Sequence, residues 1–449
     1  MNGKGLITRR SMLAVTGVAA TAAMLAGCTM GGGTGGGTGG SANGVTTVDL
    51  MVGAQDFTKD MVADFEAQNP NIKVNLIVAD PTRLNTMLAS GNAPDITVGP
   101  AVGSANINAR GLATDLTPFL EKSQVLKESD LAPVNDSFRW DGKQSGKGPL
   151  YGIVKDWSQD AALWYNTALF DKAGLPHLSE TTPITYDELL ETAKKLTVTN
   201  GSTTAVHGLG MEWAWSLYGP MSTMVIQQNG KLFNDDLSEI NFNSPEAQRA
   251  FKWYVDFGQA KVGPTSLNPL PDGSDYSTFA AGRMAITQDG YWYGGNFAQP
   301  KTLKTVAMAP APVMGEKRAN PTFGGQGWWI PEGAKDKEAA WKLMEYYMAG
   351  PVAEKRAKSG WGLPSLKSLM PLLPQELPYQ KIAYTVANNE LEHTVALPDS
   401  PYISTDLLNT TIDKYLKQAI KKELTVEEAC AALTKDLNAS LKQGKDQIG

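Results

Sequence analysis

Between residues 45 and 100 the apolar positions change period twice. Residues 47–52 read as a strand, and Phe57, Met61, Val62 and Phe65 then recur on one helical face, with Asp56 placed to cap the helix and Asn69-Pro70 to end it. Ile72, Val74 and Leu76 alternate with polar residues as a second strand. This is a β-α-β unit, and it predicts a parallel sheet. Residues 84–90 read as a further helix closed by Gly91, and residues 95–98 as a buried strand.

Later helices show in their caps. Thr185-Tyr186-Asp187-Glu188 is a capping box that leads Leu189, Leu190, Ala193 and Leu196 inward. Ser244-Pro245 places an N-cap and a first-turn proline before Ala250, Phe251, Tyr254 and Val255. Residues 337–349 put Ala340, Leu343, Met344 and Tyr347 on one face and stop at Gly350-Pro351. Thr425-Val426-Glu427-Glu428 opens the last helix, where Cys430, Leu433, Leu437 and Leu441 share a side and Cys430 reads as a small buried hydrophobe. Alternating strands and helices, without a short internal repeat, predict an α/β class.

The N-terminus follows another pattern. Lys4, Arg9 and Arg10 precede an apolar stretch at 12–25 that is short for a bilayer span and ends in small residues, the layout of a secretory leader. It closes with Leu25-Ala26-Gly27-Cys28, which resembles the bacterial lipobox, whose cysteine is lipidated and becomes the first mature residue. Thr8-Arg9-Arg10-Ser11-Met12-Leu13 also resembles a twin-arginine export motif, and paired arginines occur in ordinary secretory leaders too, so the export route stays open. The glycine-rich residues 31–41 have no side chains to build a core and predict a flexible tether with a reach of about 20 Å. With Cys28 lipidated, Cys430 has no partner and no intrachain disulfide is expected.

Composition narrows the classes that remain. Of 449 residues, 42% are hydrophobic and 19% charged, enough apolar material for ordinary cores, and the length suits two or three domains. The net charge of −6, more acidic still without the leader, gives nothing to hold a nucleic-acid backbone. His177, His207 and His393 make no metal-ligand spacing, and no glycine-rich phosphate loop with its lysine is present, so no metal or cofactor is expected.

Six phrases carry a resemblance. They are residues 65–74 (Phe-Glu-Ala-Gln-Asn-Pro-Asn-Ile-Lys-Val), 91–96 (Gly-Asn-Ala-Pro-Asp-Ile), 164–174 (Trp-Tyr-Asn-Thr-Ala-Leu-Phe-Asp-Lys-Ala-Gly), 279–286 (Phe-Ala-Ala-Gly-Arg-Met-Ala-Ile), 289–292 (Asp-Gly-Tyr-Trp) and 324–327 (Gly-Gly-Gln-Gly). In this order, behind a lipobox and a glycine tether, they resemble family 1 extracellular solute-binding proteins, the maltose-binding-protein-like receptors of ABC importers. The resemblance implies a type II periplasmic-binding-protein-like fold: two lobes, each a mainly parallel sheet flanked by helices, with a solute cleft between them. It places crossings near 153–157, 286–289 and 322–326, with one lobe at 45–154 plus 289–323 and the other at 155–288 plus 324–449. It further implies a monomeric lipoprotein on the extracellular face of a Gram-positive-like membrane, held by lipid alone, passing carbohydrate to permease subunits.

Sugars bind by stacking on aromatic rings and by hydrogen bonds to short polar side chains, and several of the 11 tryptophans fall in candidate cleft segments. Trp292 matches a position where the family often places a stacking aromatic. Trp157, beside Asp156 at the first crossing, either faces solute or packs the hinge. Trp213 and Trp215 share a face only if their segment is extended, so either one of them meets solute or both are core. Trp361 is open between cleft and packing, while Trp328-Trp329 continues an apolar strand with at least one ring in the core. Gln55 and Asp56 follow the first strand, where doubly wound folds bind ligands, although Asp56 has its competing role as cap. Asp289 and Gln326 lie at crossings where they can bond hydroxyls, whereas Asp95 reads as structural. Three other readings stand beside a sugar: the same fold around a polyamine, peptide or glycerophosphodiester, favoured by the several acids; paired carboxylates of a glycosidase from Asp56, Asp156, Asp160, Glu212 and Asp289; and a chance cysteine after the leader instead of a lipid anchor.

Overall fold

Strand β1 (Thr46–Val52), the helix Lys59–Gln68 and strand β2 (Ile72–Val78) form the expected unit: β1 and β2 pair in parallel from Thr46↔Ile72 to Val52↔Val78. The computed structural model describes residues 44–211, 216–271, 274–298, 303–322 and 325–448. The leader, Cys28 and the glycine tether lie outside these residues, as do Glu212, Trp213 and Trp215. The helix cap differs from expectation. Thr58, not Asp56, is the N-cap, its side chain accepting from the Met61 amide.

The strands continue as β3 (Ile96–Pro100), β4 (Arg139–Trp140), β5 (Ser145–Leu150), β6 (Ile153–Trp157), β7 (Leu163–Asn166), β8 (Val198–Asn200), β9 (Thr203–Gly210), β10 (Met284–Gln288), β11 (Val306–Ala309), β12 (Gln326–Trp329) and β13 (Leu363–Pro364). Two sheets carry the molecule, one of six strands in the order β13-β6-β12-β3-β1-β2 and one of five in the order β11-β7-β10-β9-β8, while β4 and β5 make a hairpin. Contrary to expectation both sheets are mixed, since only β1-β2, β1-β3 and β9-β10 pair in parallel and strands returning from the other half enter antiparallel. Every residue of β7, β10 and β11 is buried, which is why these strands are apolar apart from Asn166, Thr287 and Gln288 at the ends of β7 and β10. Helices cover the sheets, and the buried side chains form two clusters, the first of which also takes in Trp164, Met284 and Met308 of the five-stranded sheet. Val48, Leu50, Ile96, Trp328 and Leu343 belong to one; Leu189, Phe251, Tyr254, Ile412 and Leu437 belong to the other.

Local chemistry sets these helices as their sequences suggest. Thr185 and Glu188 make both bonds of a capping box on helix Tyr186–Leu196, and Ser244 caps Pro245–Ala260. Thr425 and Glu428 exchange the same pair of bonds before helix Val426–Ile448, on which Cys430 is fully buried. Burial pushes the Cys430 thiol up to about 12, so it is inert packing material. Asp95 is structural, accepting the amides of Asp49 and Lys335, and both Trp328 and Trp329 are core.

The lobe boundaries need correction. The chain leaves the first sheet after β6 and returns between β11 and β12, close to two of the expected crossings. The expected crossing at 286–289 is absent, because β10 and β11 both belong to the five-stranded sheet. Residues 289–323 therefore do not join the first lobe. The Gln288-Asp289-Gly290 break turns instead into a 3-10 segment, Tyr291–Ala298, whose Tyr293 and Phe297 pack on Trp164 and Phe279 of the same half. Likewise β12 and β13 pair with β6 in the first sheet, so 326–364 do not belong to the second lobe. The third passage lies beyond β13, before helix Pro378–Glu390 packs on β11.

Candidate functional site

The carboxyl ends of β1, β3 and β6 in one sheet, and of β9, β10 and β11 in the other, run toward the passages between the sheets, the position where open α/β sheets hold ligands. The loop after β1 presents Gln55 exposed and Asp56 partly exposed. Asp56 is drawn across to the end of β6, where its Oδ1 accepts from Lys155 Nζ at 2.8 Å. The same ammonium lies 3.1 Å from Asp156 Oδ2. Burial of Lys155 opposes its charge, but Asp156 and Asp56 outweigh it and hold the ammonium above the ordinary lysine range. Nothing in the sequence marks Lys155 as a site residue. A lysine inside a strand carries no local signal of two carboxylates converging on it.

Below this cluster the support is aromatic. Arg356 donates to the carbonyls of Lys155 and Tyr347 and stacks over the Tyr347 ring at 4.3 Å, and Tyr347 in turn stacks on Trp328 at 4.0 Å. Asp156 is cross-strand partner to Gln326 at the start of β12, and Gln326 is half-buried at the passage as expected. The bare backbone of Gly362, at φ +152°, lets the segment before β13 close on Asp156, whose Cβ would lie 3.0 Å from an added Cβ.

That segment also carries Trp361, 40% exposed, whose ring centroid is 5.8 Å from that of Trp292. Trp292 belongs to the other half, follows Asp289-Gly290, is half-buried, and meets Tyr276 edge-on at 5.1 Å. Its amide donates to Ser158 Oγ at 3.0 Å, which fixes the backbone where the chain enters the 3-10 segment. Five candidates are thus linked in a row: Lys155 joins Asp56 to Asp156, Asp156 pairs across the strands with Gln326 and is approached by Gly362, and the neighbouring Trp361 meets Trp292.

Two candidates are placed otherwise. Trp157 is 5% exposed and its indole N–H donates to Pro364 O at 3.0 Å, so it packs the hinge and shows only an edge to the adjoining cavity. Asp289 is fully buried, its amide bonded to Ala162 O and its carboxylate accepting from Thr287 Oγ1, and it offers no surface in this conformation. Both sit at or just past the end of a strand, and each is held by a neighbouring strand or segment distant in sequence, Pro364 of β13 for Trp157 and Ala162 before β7 for Asp289.

A cavity of about 970 Å³ opens between the halves on the side of Val134, Ser137, Ile226 and Phe233, reaching Trp157, Thr322 and Asp399. Among the described residues, no group of three His, Cys, Asp or Glu side chains is arranged to hold a metal ion.

The family model described as bacterial extracellular solute-binding protein matches residues 60–376. A maltooligosaccharide ABC transporter solute-binding lipoprotein of Streptococcus pneumoniae is 24% identical over 321 residues, covering 68% of each chain. Among solved structures, an ABC substrate-binding protein from Listeria monocytogenes in complex with cycloalternan is 25% identical with a TM-score of 0.73, covering 89% of this chain and 99% of its own. A solute-binding protein of Thermotoga lettingae bound with α-D-tagatose is 24% identical with a TM-score of 0.72, covering 88% of this chain and 100% of its own. The fold they share is the two-lobed type II arrangement of sheets described above.

Proposed function

The chain belongs to the bacterial extracellular solute-binding protein family, and on that premise we propose that it captures a carbohydrate, an oligosaccharide, between its two halves and delivers it to the permease of an ABC importer. The observation that carries the choice of carbohydrate is the Trp292–Trp361 pair, one ring from each half, beside polar groups on the same rim. Aromatic faces accept the C–H side of a sugar ring, while carboxylate and amide groups such as Asp156 and Gln326 accept or donate to hydroxyls. The names of the relatives and neighbours, maltooligosaccharide, cycloalternan and tagatose, point the same way.

The acids of the rim favour a neutral solute over a polyamine. Asp56 and Asp156 share the Lys155 ammonium, so one of their two charges is already compensated and a cationic ligand that paired with both would have to displace a buried partner. Capture without covalent change is the proposed activity. Cys28, lipidated at the lipobox, would hold the receptor at the outer face of the membrane.

A thermal-shift panel of maltooligosaccharides, other oligosaccharides and spermidine tests the reading. A ligand at 100 times its dissociation constant stabilises the folded protein by about 2.7 kcal/mol. Stabilisation by an oligosaccharide that is recovered intact is the expected result. A shift with spermidine alone, or release of cleaved sugar, would replace the proposal.

A further inference from the structure

Closure of a two-lobed receptor is set by the contacts that cross between its halves, and one set of these is polar and buried. After β3 the chain turns through Gly103, at φ +113°, into the short helix Ser104–Ala109, whose first amides have no partner within the helix. Asp399 supplies one. Its Oδ1 accepts the Gly103 N–H and its Oδ2 the Ala105 N–H, each at 2.9 Å, and the Ser104 hydroxyl lies 3.5 Å from Oδ2. Alongside, Asn106 Nδ2 donates to Pro401 O at 2.7 Å and Thr405 Oγ1 to Val102 O at 3.5 Å.

The two sides of this contact belong to different halves. Residues 101–109 continue directly from β3 of the six-stranded sheet. The loop at 398–404 is tied to the other half: the Tyr218 hydroxyl donates to Pro398 O, Ser400 Oγ donates to Leu237 O at 2.7 Å, and the following helix Thr405–Ile420 packs on Pro245–Ala260 and Val426–Ile448. An open form would separate Asp399 from both amides and return all three groups to water.

We propose that Asp399 is a latch between the lobes, a positioning residue whose carboxyl group, by accepting the Gly103 and Ala105 amides, sets how far the protein closes in the absence of solute. Its effect on affinity rests on the solute-capture reading above; the latch itself does not. The two accepted amides tie the loop to the start of the helix, and the neutral acid, which keeps an acceptor oxygen, does so without the cost of burying a charge.

The latch has a pH signature. Burial pushes Asp399 up to about 6 from an ordinary 3.8, against the pull of the bonds from Ala105, Gly103 and Ser104. Exposed in an open form, the carboxyl would return toward its ordinary value, so closure takes up a proton between about pH 4 and 6. The closed-to-open ratio therefore rises as pH falls through that window, by up to about a hundredfold for two pKa units. Tyr218 is the titratable group that faces Asp399, and burial first, then Asp399, holds its phenol far above the ordinary range, so it stays neutral throughout. Asp136, Lys231, Asp235 and Lys367 line the cavity that Asp399 borders, and the other groups packed on the latch, Ser104, Asn106 and Thr405, carry no charge.

Hydrogen exchange and small-angle scattering on the full chain, with no sugar added, test this. In Asp399→Ala the Gly103 and Ala105 amides should exchange about tenfold faster, and the radius of gyration should increase. Wild-type radius should fall between pH 7 and pH 5, whereas Asp399→Asn, which keeps the size and one acceptor but cannot titrate, should show a flat profile. Asn106→Ala, a milder change at the same contact, should enlarge the radius in the same direction and guards against a folding defect. Faster amides with an unchanged radius would reduce Asp399 to a local helix cap, and a wild-type radius independent of pH would remove the titration; either overturns the latch. Because no sugar enters the measurement, these outcomes are separate from failure of the carbohydrate proposal.

Discussion

Trp292 shows what one residue is asked to do at this site. Its ring leans on Tyr276 and Tyr293 and faces Trp361 across the passage, so it is both a binding surface and part of an aromatic cluster. Losing a largely buried aromatic contact to sugar costs roughly 1.5–3 kcal/mol. At about 1.4 kcal/mol per decade, Trp292→Ala should weaken oligosaccharide binding ten- to a hundredfold by calorimetric titration. The melting temperature should drop only modestly, since a fully buried core tryptophan would cost about 3–5 kcal/mol and Trp292 is half-buried. Unchanged affinity with a large loss of stability would assign the ring to packing. Lys155 poses the opposite problem. Its side chain is only 7% exposed and is shared by two carboxylates, so Lys155→Met should leave Asp56 and Asp156 without their common cation and lower unfolding free energy by about 3 kcal/mol. A urea titration reads this directly, and a midpoint equal to wild type would show that water can replace the ammonium.

At the scale of elements, what could be read from the sequence was what is decided within a few residues. The boxes at Thr185/Glu188 and Thr425/Glu428 and the cap at Ser244 close on neighbours three positions away, so pattern alone finds them. The start of helix Lys59–Gln68 shows the limit. Asp56 and Thr58 are both good caps by type, and Asp56 is withdrawn by Lys155, 99 positions along the chain. The same limit explains the crossing expected at 286–289: a polar and glycine break after β10 looks the same whether the chain then changes sheet or folds back beside β7, and only the packing of Tyr293 and Phe297 on Trp164 decides. Of the rim, the tryptophans and acids were legible as residue types suited to a sugar, while their pairing and the burial of Trp157 and Asp289 were not, because both depend on segments far away in sequence, such as Pro364 for Trp157 and Ala162 for Asp289. Element packing makes its own prediction at Gly208 in β9. A Cβ there would sit 2.0 Å from Ala193 O on helix Tyr186–Leu196, so Gly208→Ala must push the helix off the sheet. Overpacking of this kind costs typically 1–3 kcal/mol, and backbone cannot swing aside as a side chain can, so a loss at or above that range is expected by thermal melting. Wild-type stability in that variant would mean the helix and β9 are less tightly coupled than their contact indicates.

For the whole molecule, two sheets are joined by three passages and share an apolar cluster that runs from Leu50 and Trp328 of the first to Trp164, Met284 and Met308 of the second, so closure combines bending at the passages with sliding of that contact. Addition of a bound oligosaccharide should therefore shrink the scattering radius further, shifting a population that the Asp399 contact already biases. Delivery adds a constraint that binding does not have. A receptor loose in the medium is diluted away from its permease, whereas a lipid on Cys28 followed by the glycine-rich residues 31–41 would confine the folded part to about 20 Å from the membrane, at an effective concentration that diffusion cannot match. Affinity and uptake should then separate experimentally. Cys28→Ala should move the protein from the membrane fraction into the medium and abolish uptake of the sugar, while its dissociation constant, a property of residues far along the chain from Cys28, stays that of wild type. A variant that remains with the membranes would show that the cysteine is not the anchor, and one that is released yet still supports full uptake would show that capture and delivery do not depend on tethering.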